Sequence, residues 1–489
     1  MNPNPAISTK VVTRFAPSPT GFLHVGSART ALYAYLWAKK HSGTFILRIE
    51  DTDKSREVPG SIEHLQESLN WLGITWDYGP ENPGPFGPCI QSERLPSYLK
   101  YAQVLVEKGL AYADPYTEVE LETFREQAKA EKRPFLYRHH RPENPPVWDG
   151  SKPLRLKVED IKRYTWSDAV RGELSAGPEM LDDIILIKSD GYPTYNFAHI
   201  IDDHEMGVTH IMRADEFISS QPKFLSIYDA LGLPYPVFVT LPPILREDRT
   251  KKMGKRDGAK DILDYRADGF LPEAMVNFLA LIGWNPGTAQ EIFNEIELIE
   301  AFDITKIQRA GASFNEEKLL WMNKQHLTRQ TSNQLLEYVT KALPDSIKAL
   351  PQFSIERLEK FVPNLIERIH VASDIKVAAE AGEYDFAFAT PEYDTELLLW
   401  KNDTDIKQAK PRLEEAIILL KAADFSSIDG IKTALWNYAE AVGKGEIFWP
   451  LRVALSGKKQ SPDPFTIGWL IGQVETIKRI ENACDKIGK

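Results

Sequence analysis

Hydrophobic positions first cluster at 10–16 (KVVTRFA), a short run that reads as a buried strand. It stops where Pro17 and Pro19 forbid regular pairing and Gly21 permits a sharp turn. Between Ala28 and Lys40 the apolar residues Leu32, Tyr35, Leu36 and Trp37 recur near one helical face, Gly43 supplies a stop, and 44–49 (TFILRI) resumes as strand. Strand, helix and strand in that order imply parallel pairing through a right-handed crossover. Ile62, Leu65, Leu69 and Leu72 mark another amphipathic helix that Gly73 closes, so the first hundred residues look like half of a doubly wound sheet. From Tyr112 to Arg171 the texture changes: Pro, Arg, Lys and His alternate with aromatic residues, which suggests an insertion with an RNA-facing surface or, alternatively, a solvated linker with a small sheet. Apolar strand character returns at 183–187 (DIILI) and 237–241 (VFVTL), predicting that the second half of the parallel sheet forms after that insertion. Beyond about Lys260 the pattern turns helical, as in 272–284 (PEAMVNFLALIGW) with its proline in the first turn.

Length supports this layout, since 489 residues at roughly 100 to 200 per domain make about three domains and exclude a single small binding module. Hydrophobic residues at 43% and charged residues at 26% are enough for substantial cores and exclude a disordered chain. The formal charge of −11 means that the whole-chain field does not attract polyanions, so any nucleic-acid contact must come from local basic patches. Only Cys89 and Cys484 are present, which leaves no disulfide framework and no Cys-rich zinc site and favours a reducing cytosol. Residues 1–10 carry no apolar signal-type segment, and no apolar run of about 18 residues occurs, so neither export nor membrane insertion is expected.

Neither a P-loop nor a dinucleotide fingerprint is present. A different grip on phosphate is visible at 21–27 (GFLHVGS), between strand and helix, where His24 and the Gly26 backbone would sit at the positive helix end. Read alone, a histidine at such a turn is more often structural than catalytic. A basic loop at 251–256 (KKMGKR) follows the last candidate strand, and its Lys252 and Lys255 would neutralise a triphosphate; read alone, it is a solvated surface. An early phosphate-type turn and a late lysine loop would converge on one edge crevice of a split sheet. Arg14 and Glu50, on adjacent strand ends, would either bind a ligand or pair with each other. His199, Asp202, Asp203, His204 and His210 form a metal-like set for which a structural polar cluster is the preferred reading.

Four blocks, RFAPSPTGFLHVGSARTALYAYLWA, FILRIEDTDKSR, IKSDGYPTYNFAHIIDDHEMGVTHIMRADE and TKKMGKRDGA, resemble in order and content the signatures of the bacterial-type glutamyl-tRNA synthetases of class I. In that resemblance HVGS is similar to the HIGH element and KMGKR to the KMSKS element, with Gly254 where serine is common. The resemblance implies a multidomain chain: a Rossmann-type parallel-sheet α/β catalytic domain split by an α+β insertion, followed by an all-α C-terminal half. The expected boundaries are 1–95 and 195–250 for the catalytic halves, 96–194 for the acceptor-stem insertion, 251–330 for the KMSKS-type loop and stem-contact region, and 331–489 for the anticodon-binding helices. It implies that Arg14 and Tyr195 bind the glutamate side-chain carboxylate, Arg213 the α-carboxylate and Glu50 the α-ammonium, with Ala16, Ser18 and His199 around them. His24, Gly26, Lys252, Gly254 and Lys255 would hold ATP, with His24, Lys252 and Lys255 acting in catalysis.

Implied partners are tRNA(Glu), L-glutamate and ATP with its Mg2+, in a cytoplasmic monomer that contacts no membrane and carries no structural zinc, because no cysteine falls between Cys89 and Cys484. Trp400, Trp436, Trp449 and Trp469 lie in the helical tail, where most are expected in the core. Two alternatives remain: an enzyme that also charges tRNA(Gln), a choice that the resemblance ties to an arginine of the helical tail and that Asn364, Arg368 and their neighbours leave open, and a non-catalytic tRNA-binding paralogue.

Overall fold

The computed structural model of the protein describes residues 10–249, 251–253 and 260–488. The first apolar run forms strand β1 (Val12–Phe15) and the run after Gly43 forms β2 (Thr44–Leu47), joined by helix α1 (Val25–Lys40). The strands are parallel, with Val12 opposite Thr44 and Phe15 opposite Leu47, and every residue of both is buried. Burial on both faces explains why a threonine and an arginine inside β1 must be satisfied: Thr13 donates to the Ala34 carbonyl at 2.7 Å, and Arg14 enters an ion pair. Gly43 is required because a Cβ there would lie 2.2 Å from the Val11 carbonyl oxygen.

The chain continues through α2 (Ser61–Trp71), α3 (Leu95–Glu107), β3 (Ala111–Ala113), α4 (Glu118–Ala130), β4 (Leu154–Leu156), β5 (Tyr164–Asp168), β6 (Gly172–Ala176), β7 (Ile185–Ile187), α5 (Tyr195–Glu205), β8 (His210–Ala214), α6 (Gln221–Leu231), β9 (Val237–Leu241) and β10 (Ile244–Leu245). The main sheet has six strands in the order β2-β1-β8-β9-β5-β6, parallel except for β6. It is a Rossmann-like sheet of the expected kind.

Two details correct the sequence reading. The 183–187 run is expected in the parallel sheet, but β7 belongs to a separate antiparallel sheet, β3-β4-β7. The place beside β1 is taken by β8, whose five residues HIMRA carry two polar side chains and so lack the apolar signature. Inside the stretch expected as an insertion, β5 and β6 add to the edge of the main sheet. Asp168 makes that possible: buried, it accepts from the Val170 and Arg171 amides to turn the hairpin and from Thr240 at 2.6 Å to fix it to β9. The arginines of the same stretch are largely engaged in folding. Arg141 grips Asp183 with two bonds of 2.6 Å, Arg155 pairs with Asp114 and lies 3.4 Å above the Tyr137 ring, and Arg138 donates to the Pro178 and Leu181 carbonyls.

Contacts divide the chain into one unit that runs to Arg266 and takes in Pro272–Met322, and another made of Ala267–Leu271 and the residues from Asn323. The second is helical throughout its described residues, with helices such as Ser332–Ala342, Ile355–Arg368, Ala409–Lys421, Ile428–Val442, Lys444–Ser456 and Gln473–Ile487. Sequence signals start them: Thr331, Ser354 and Ser427 cap three of these helices through their hydroxyls. The four tail tryptophans are half-buried; Trp449 and Trp469 pack on the core, whereas Trp436 donates to Glu440 and lies under Lys444. Asn364 is half-buried and Arg368 exposed on the Ile355–Arg368 helix.

Arg479 is the polar hub of this unit. Fully buried, it donates to the Phe386, Leu455 and Ala389 carbonyls, to Gln352 and to Glu475. Arg479→Met would strand three carbonyls and a carboxylate, and is expected to destabilise the helical unit by about 3 kcal/mol or more. Urea unfolding followed by tryptophan fluorescence would register the loss, and an unchanged midpoint would refute it.

Candidate functional site

Strand β1 leads through α1 to β2 on one side of it, while β8, its other neighbour, leads through α6 to β9. The chain thus departs in opposite directions from β1 and β8, and a crevice opens beyond their carboxyl ends. Arg14 lies near the end of β1 and Arg213 near the end of β8. Pairing continues past the strands, since the Arg48 amide donates to the Phe15 carbonyl at 3.0 Å and the Glu50 amide to Pro17 at 2.9 Å, which carries Ala16 and Ser18 alongside Glu50. Helix α5 then places Tyr195, His199, Asp202 and Asp203 on successive turns.

The charges here are buried and paired. Arg14 donates from Nε to Asp203 Oδ1 at 2.9 Å and from Nη1 to the Met212 carbonyl at 3.4 Å, and its Nη2 has no partner among the described residues. Arg48 spans two carboxylates, Asp203 Oδ1 at 2.7 Å and Glu50 Oε1 at 2.9 Å, with Asp202 Oδ2 3.6 Å from its Nε. Burial pushes Glu50 up to about 6 against the pull of Arg48 and Arg14. Burial also acts upward on Asp203, but the Arg14 and Arg48 guanidiniums overcome it and hold that carboxyl well below its ordinary range. The alternative in which Arg14 and Glu50 pair with each other is therefore corrected: each has a different partner, and Arg48 and Asp203 link them.

The metal-like set is likewise occupied by protein groups. Asp202 accepts from Gln91, Arg94 and Tyr98, His210 bonds Thr209 and edges onto Trp37, and His204 edges onto Tyr101. Among the described residues no three His, Cys, Asp or Glu side chains are placed to hold a metal ion.

His199 stacks on Tyr195 with ring centroids 4.7 Å apart, and its Nδ1 lies 2.7 Å from the Tyr195 carbonyl. A carbonyl only accepts, so the ring proton sits on Nδ1 and Nε2 presents a lone pair. Burial lowers this histidine to about 3, which keeps it neutral, and pushes the Tyr195 hydroxyl up to about 12. Arg213 is buried and donates from Nη2 to Gln221, but Nη1 has no partner and the guanidinium makes no ion pair among the described residues. Its pKa is lowered by burial.

A cleft of about 480 Å³ adjoins these groups and is lined by Ser18, Glu50, Thr52, Lys188, Tyr195 and Phe217. Three of the residues expected around glutamate, Ser18, Glu50 and Tyr195, form its wall. His199 lies against Tyr195, Arg213 touches Phe217 with its guanidinium 5.6 Å from the ring centre, and Arg14 reaches the wall through Asp203 and Arg48. Ala16 is half-buried in the segment beside Glu50.

His24 caps α1, its Nδ1 accepting from the Gly26 and Ser27 amides at 3.1 and 3.4 Å. That bond fixes the proton on Nε2, 3.3 Å from Ser27 Oγ. It also corrects the expectation that the Gly26 amide faces phosphate, because the imidazole holds that amide. Lys252 sits opposite Leu245 of β10, half exposed, and its ammonium pairs with Glu216 just past β8. Gly254 and Lys255 lie outside the described residues. The chain returns at Asp261 paired with His24, and the Ile262 amide donates to Leu23 at 2.9 Å, so both flanks of the basic loop are tied to the crevice. Sequence reasoning missed Arg48, Asp203 as an arginine partner, Glu216 and Gln221. The one available signal was the i, i+2 placement of Arg48 and Glu50 in a strand otherwise apolar.

Residues 10–321 match the family model described as the catalytic domain of class I tRNA synthetases (E and Q), and 322–484 match an anticodon binding domain, a division that falls within two residues of the boundary between the structural units. The chain is 39% identical to a glutamate–tRNA ligase of Clostridium botulinum, covering 98% of this chain and 99% of that one. It is 37% identical to the same-named protein of Clostridium acetobutylicum over 99% and 100%. Among solved structures it is similar to a glutamate tRNA ligase of Elizabethkingia meningosepticum in complex with its amino acid, at 34% identity and a TM-score of 0.86, covering 97% and 99% of the two chains.

Gly26 leaves space for the capping ring, because a Cβ there would lie 3.0 Å from His24 Cε1. His24→Ala, which removes the cap outright, is expected to cost about 1 kcal/mol of stability. Chemical denaturation would measure it; a more stable variant would contradict the arrangement.

Proposed function

We propose that this chain, which belongs to the class I tRNA synthetases for glutamate and glutamine, acts as a glutamate–tRNA ligase. L-Glutamate and Mg·ATP combine to glutamyl-adenylate, and the acyl group passes to the terminal adenosine of tRNA(Glu). The observation that carries the reading is Arg213, a buried guanidinium with an unmatched Nη1 and no ion pair among the described residues. Such a charge is unfavourable until an anion meets it. An α-carboxylate held there would stand beside Tyr195 and Glu50, which suits a substrate carrying an ammonium and a second carboxylate. Arg14, through Nη2, and Tyr195 receive the side-chain carboxylate, Glu50 receives the α-ammonium, and Ala16, Ser18 and His199 complete the enclosure. Glutamine would leave the Arg14 guanidinium facing a neutral amide, and a site built on such bonds rejects it without editing.

An α-carboxylate oxygen attacks the α-phosphorus while its bond to the bridging oxygen breaks and pyrophosphate leaves; a ribose hydroxyl of the terminal adenosine then displaces AMP. No covalent protein intermediate is needed. His24 contributes an Nε2–H of fixed tautomer, Lys252 exchanges Glu216 for phosphate oxygens, and Lys255 and Gly254 belong to the same basic loop, so the protein's part is positioning and charge stabilisation. Cys89 and Cys484 are free thiols, in keeping with a reducing compartment, and we place the protein in the cytoplasm as a monomer, with 331–489 addressing the anticodon and the insertion the acceptor end.

Aminoacylation of purified isoacceptors with glutamate, glutamine and aspartate tests the reading. Charging of tRNA(Glu) with glutamate alone is expected, charging of tRNA(Gln) as well would identify the broader enzyme, and no charging at all would leave a silent tRNA-binding paralogue. Arg14→Ala should raise the glutamate KM about a hundredfold or more, as loss of a charged hydrogen-bond partner does, while an unchanged KM would remove Arg14 from the site. Because Glu50 must be ionised to hold an ammonium and is pushed up to about 6, kcat/KM for glutamate is expected to fall as pH drops through about 6. Glu50→Gln should abolish that limb.

A further inference from the structure

Arg48 is fully buried, yet the mechanism gives it no contact with any substrate. Its fork joins Glu50, two residues on in the segment that follows β2, to Asp203 on α5, and Asp203 in turn holds Arg14 on β1. A chain of ion pairs, Glu50 to Arg48 to Asp203 to Arg14, therefore runs behind the cleft and ends at both groups assigned to opposite charges of the amino acid. Resting on the glutamate reading above, we propose that Arg48 is a positioning residue for substrate recognition, which holds Glu50 charged and Arg14 aimed and so couples ammonium binding to side-chain carboxylate binding.

Three observations support this. A guanidinium is the side chain that can bond two carboxylates at once from a planar fork, and here it does so at 2.9 and 2.7 Å. Arg14 spends Nε and Nη1 on Asp203 and the Met212 carbonyl, which fixes the plane of its guanidinium and turns Nη2 away from them. Asp203 Oδ2 is buried with no hydrogen-bond partner among the described residues, so this carboxylate is committed to its arginines through Oδ1 alone. A fold held only by hydrophobic packing would not need an array of this kind, since well-packed apolar residues serve stability as well or better.

The groups that act on Glu50 are Arg48 on its own segment past β2, Arg14 on β1, and Asp203 and Tyr195 on α5, while Lys188, Asp53 and Arg56 share the cleft wall. Arg48 and Arg14 favour the charged carboxylate, and burial and Asp203 oppose it. Weakening Arg48 and neutralising Asp203 should therefore displace Glu50 in opposite directions, which general loosening of the fold would not do.

The test uses the full-length protein with its tRNA, measuring kcat/KM for glutamate from pH 5 to 9 at saturating ATP, since that profile reports the enzyme form that glutamate meets, with its own site still empty. In Arg48→Lys one ammonium replaces the two-ended fork. The glutamate KM is expected to rise about tenfold or more, the ATP KM to stay within about twofold, and the acid limb to move up by about half a unit or more. Arg48→Gln should extend each change, so that lysine partly rescues. In Asp203→Asn, which keeps size and shape, the glutamate KM should also rise while the acid limb moves down. If Arg48→Lys does not fold, the Asp203→Asn profile decides, and a limb that stays in place or moves up overturns the proposal. Wild-type limbs in both variants, or shifts in one shared direction, overturn it as well. These results leave the glutamate reading standing, whereas wild-type protein with no glutamate-dependent reaction at any pH overturns both.

Discussion

A charge placed in a protein interior must be met by another charge or by several hydrogen bonds, and this requirement organises the crevice beyond β1 and β8. Five ionisable side chains, Arg14, Arg48, Glu50, Asp202 and Asp203, are buried within a few residues of three strand and helix ends. They are tolerated because each is paired in a fixed geometry, and Arg213 stands apart as the buried guanidinium of this neighbourhood that makes no ion pair among the described residues and keeps an unmatched Nη1. The fold supplies the rest. Parallel strands leaving a common edge in opposite directions bring side chains from positions 14, 50, 195 and 213 to one place, which no local segment of the chain could do.

Much of the architecture was legible in the sequence because it follows from periodicity. The β1-α1-β2 unit, the strand at 237–241 and the helical second half stand where apolar spacing and caps put them. Strand β8 was not legible, since a five-residue strand with His210 and Arg213 looks like polar loop, and the apolar 183–187 run drew the eye instead. Local pattern reports that a segment will pair; it does not report with which sheet. The arginines at 138, 141 and 155 show the same limit, for a basic stretch read as surface turned out to hold three side chains bonded to carboxylates and carbonyls.

For the candidate site, sequence resemblance brought forward Ser18, Glu50 and Tyr195, which line the cleft, but not the links behind it. Glu50 and Tyr195 form its wall, but Arg48 and Asp203, which hold Glu50 and Arg14, became visible only through distances. Groups that touch a ligand leave a motif, whereas groups that orient them leave a contact between strand and helix at positions 155 residues apart. His199 adds a case where identity alone misleads. A histidine at such a place invites acid–base chemistry, yet burial and the Tyr195 carbonyl leave a neutral acceptor.

The two halves of the site are also built to different tolerances. On the side proposed for the amino acid the ion pairs are buried and multiply bonded, and breaking one strands its partner. On the side proposed for phosphate Lys252 and Glu216 are both more than half exposed, and a pair of that kind contributes little net stability. In the proposed reaction an ammonium so lightly held would move to a triphosphate oxygen with little opposition, while Asp261 pairs with His24 and the Ile262 amide donates to Leu23 beside the crevice. The proposed roles, rigid recognition of a small dicarboxylic amino acid beside an exchangeable cation for phosphate, would fit a reaction whose first substrate must be selected and whose second must be polarised and released as pyrophosphate.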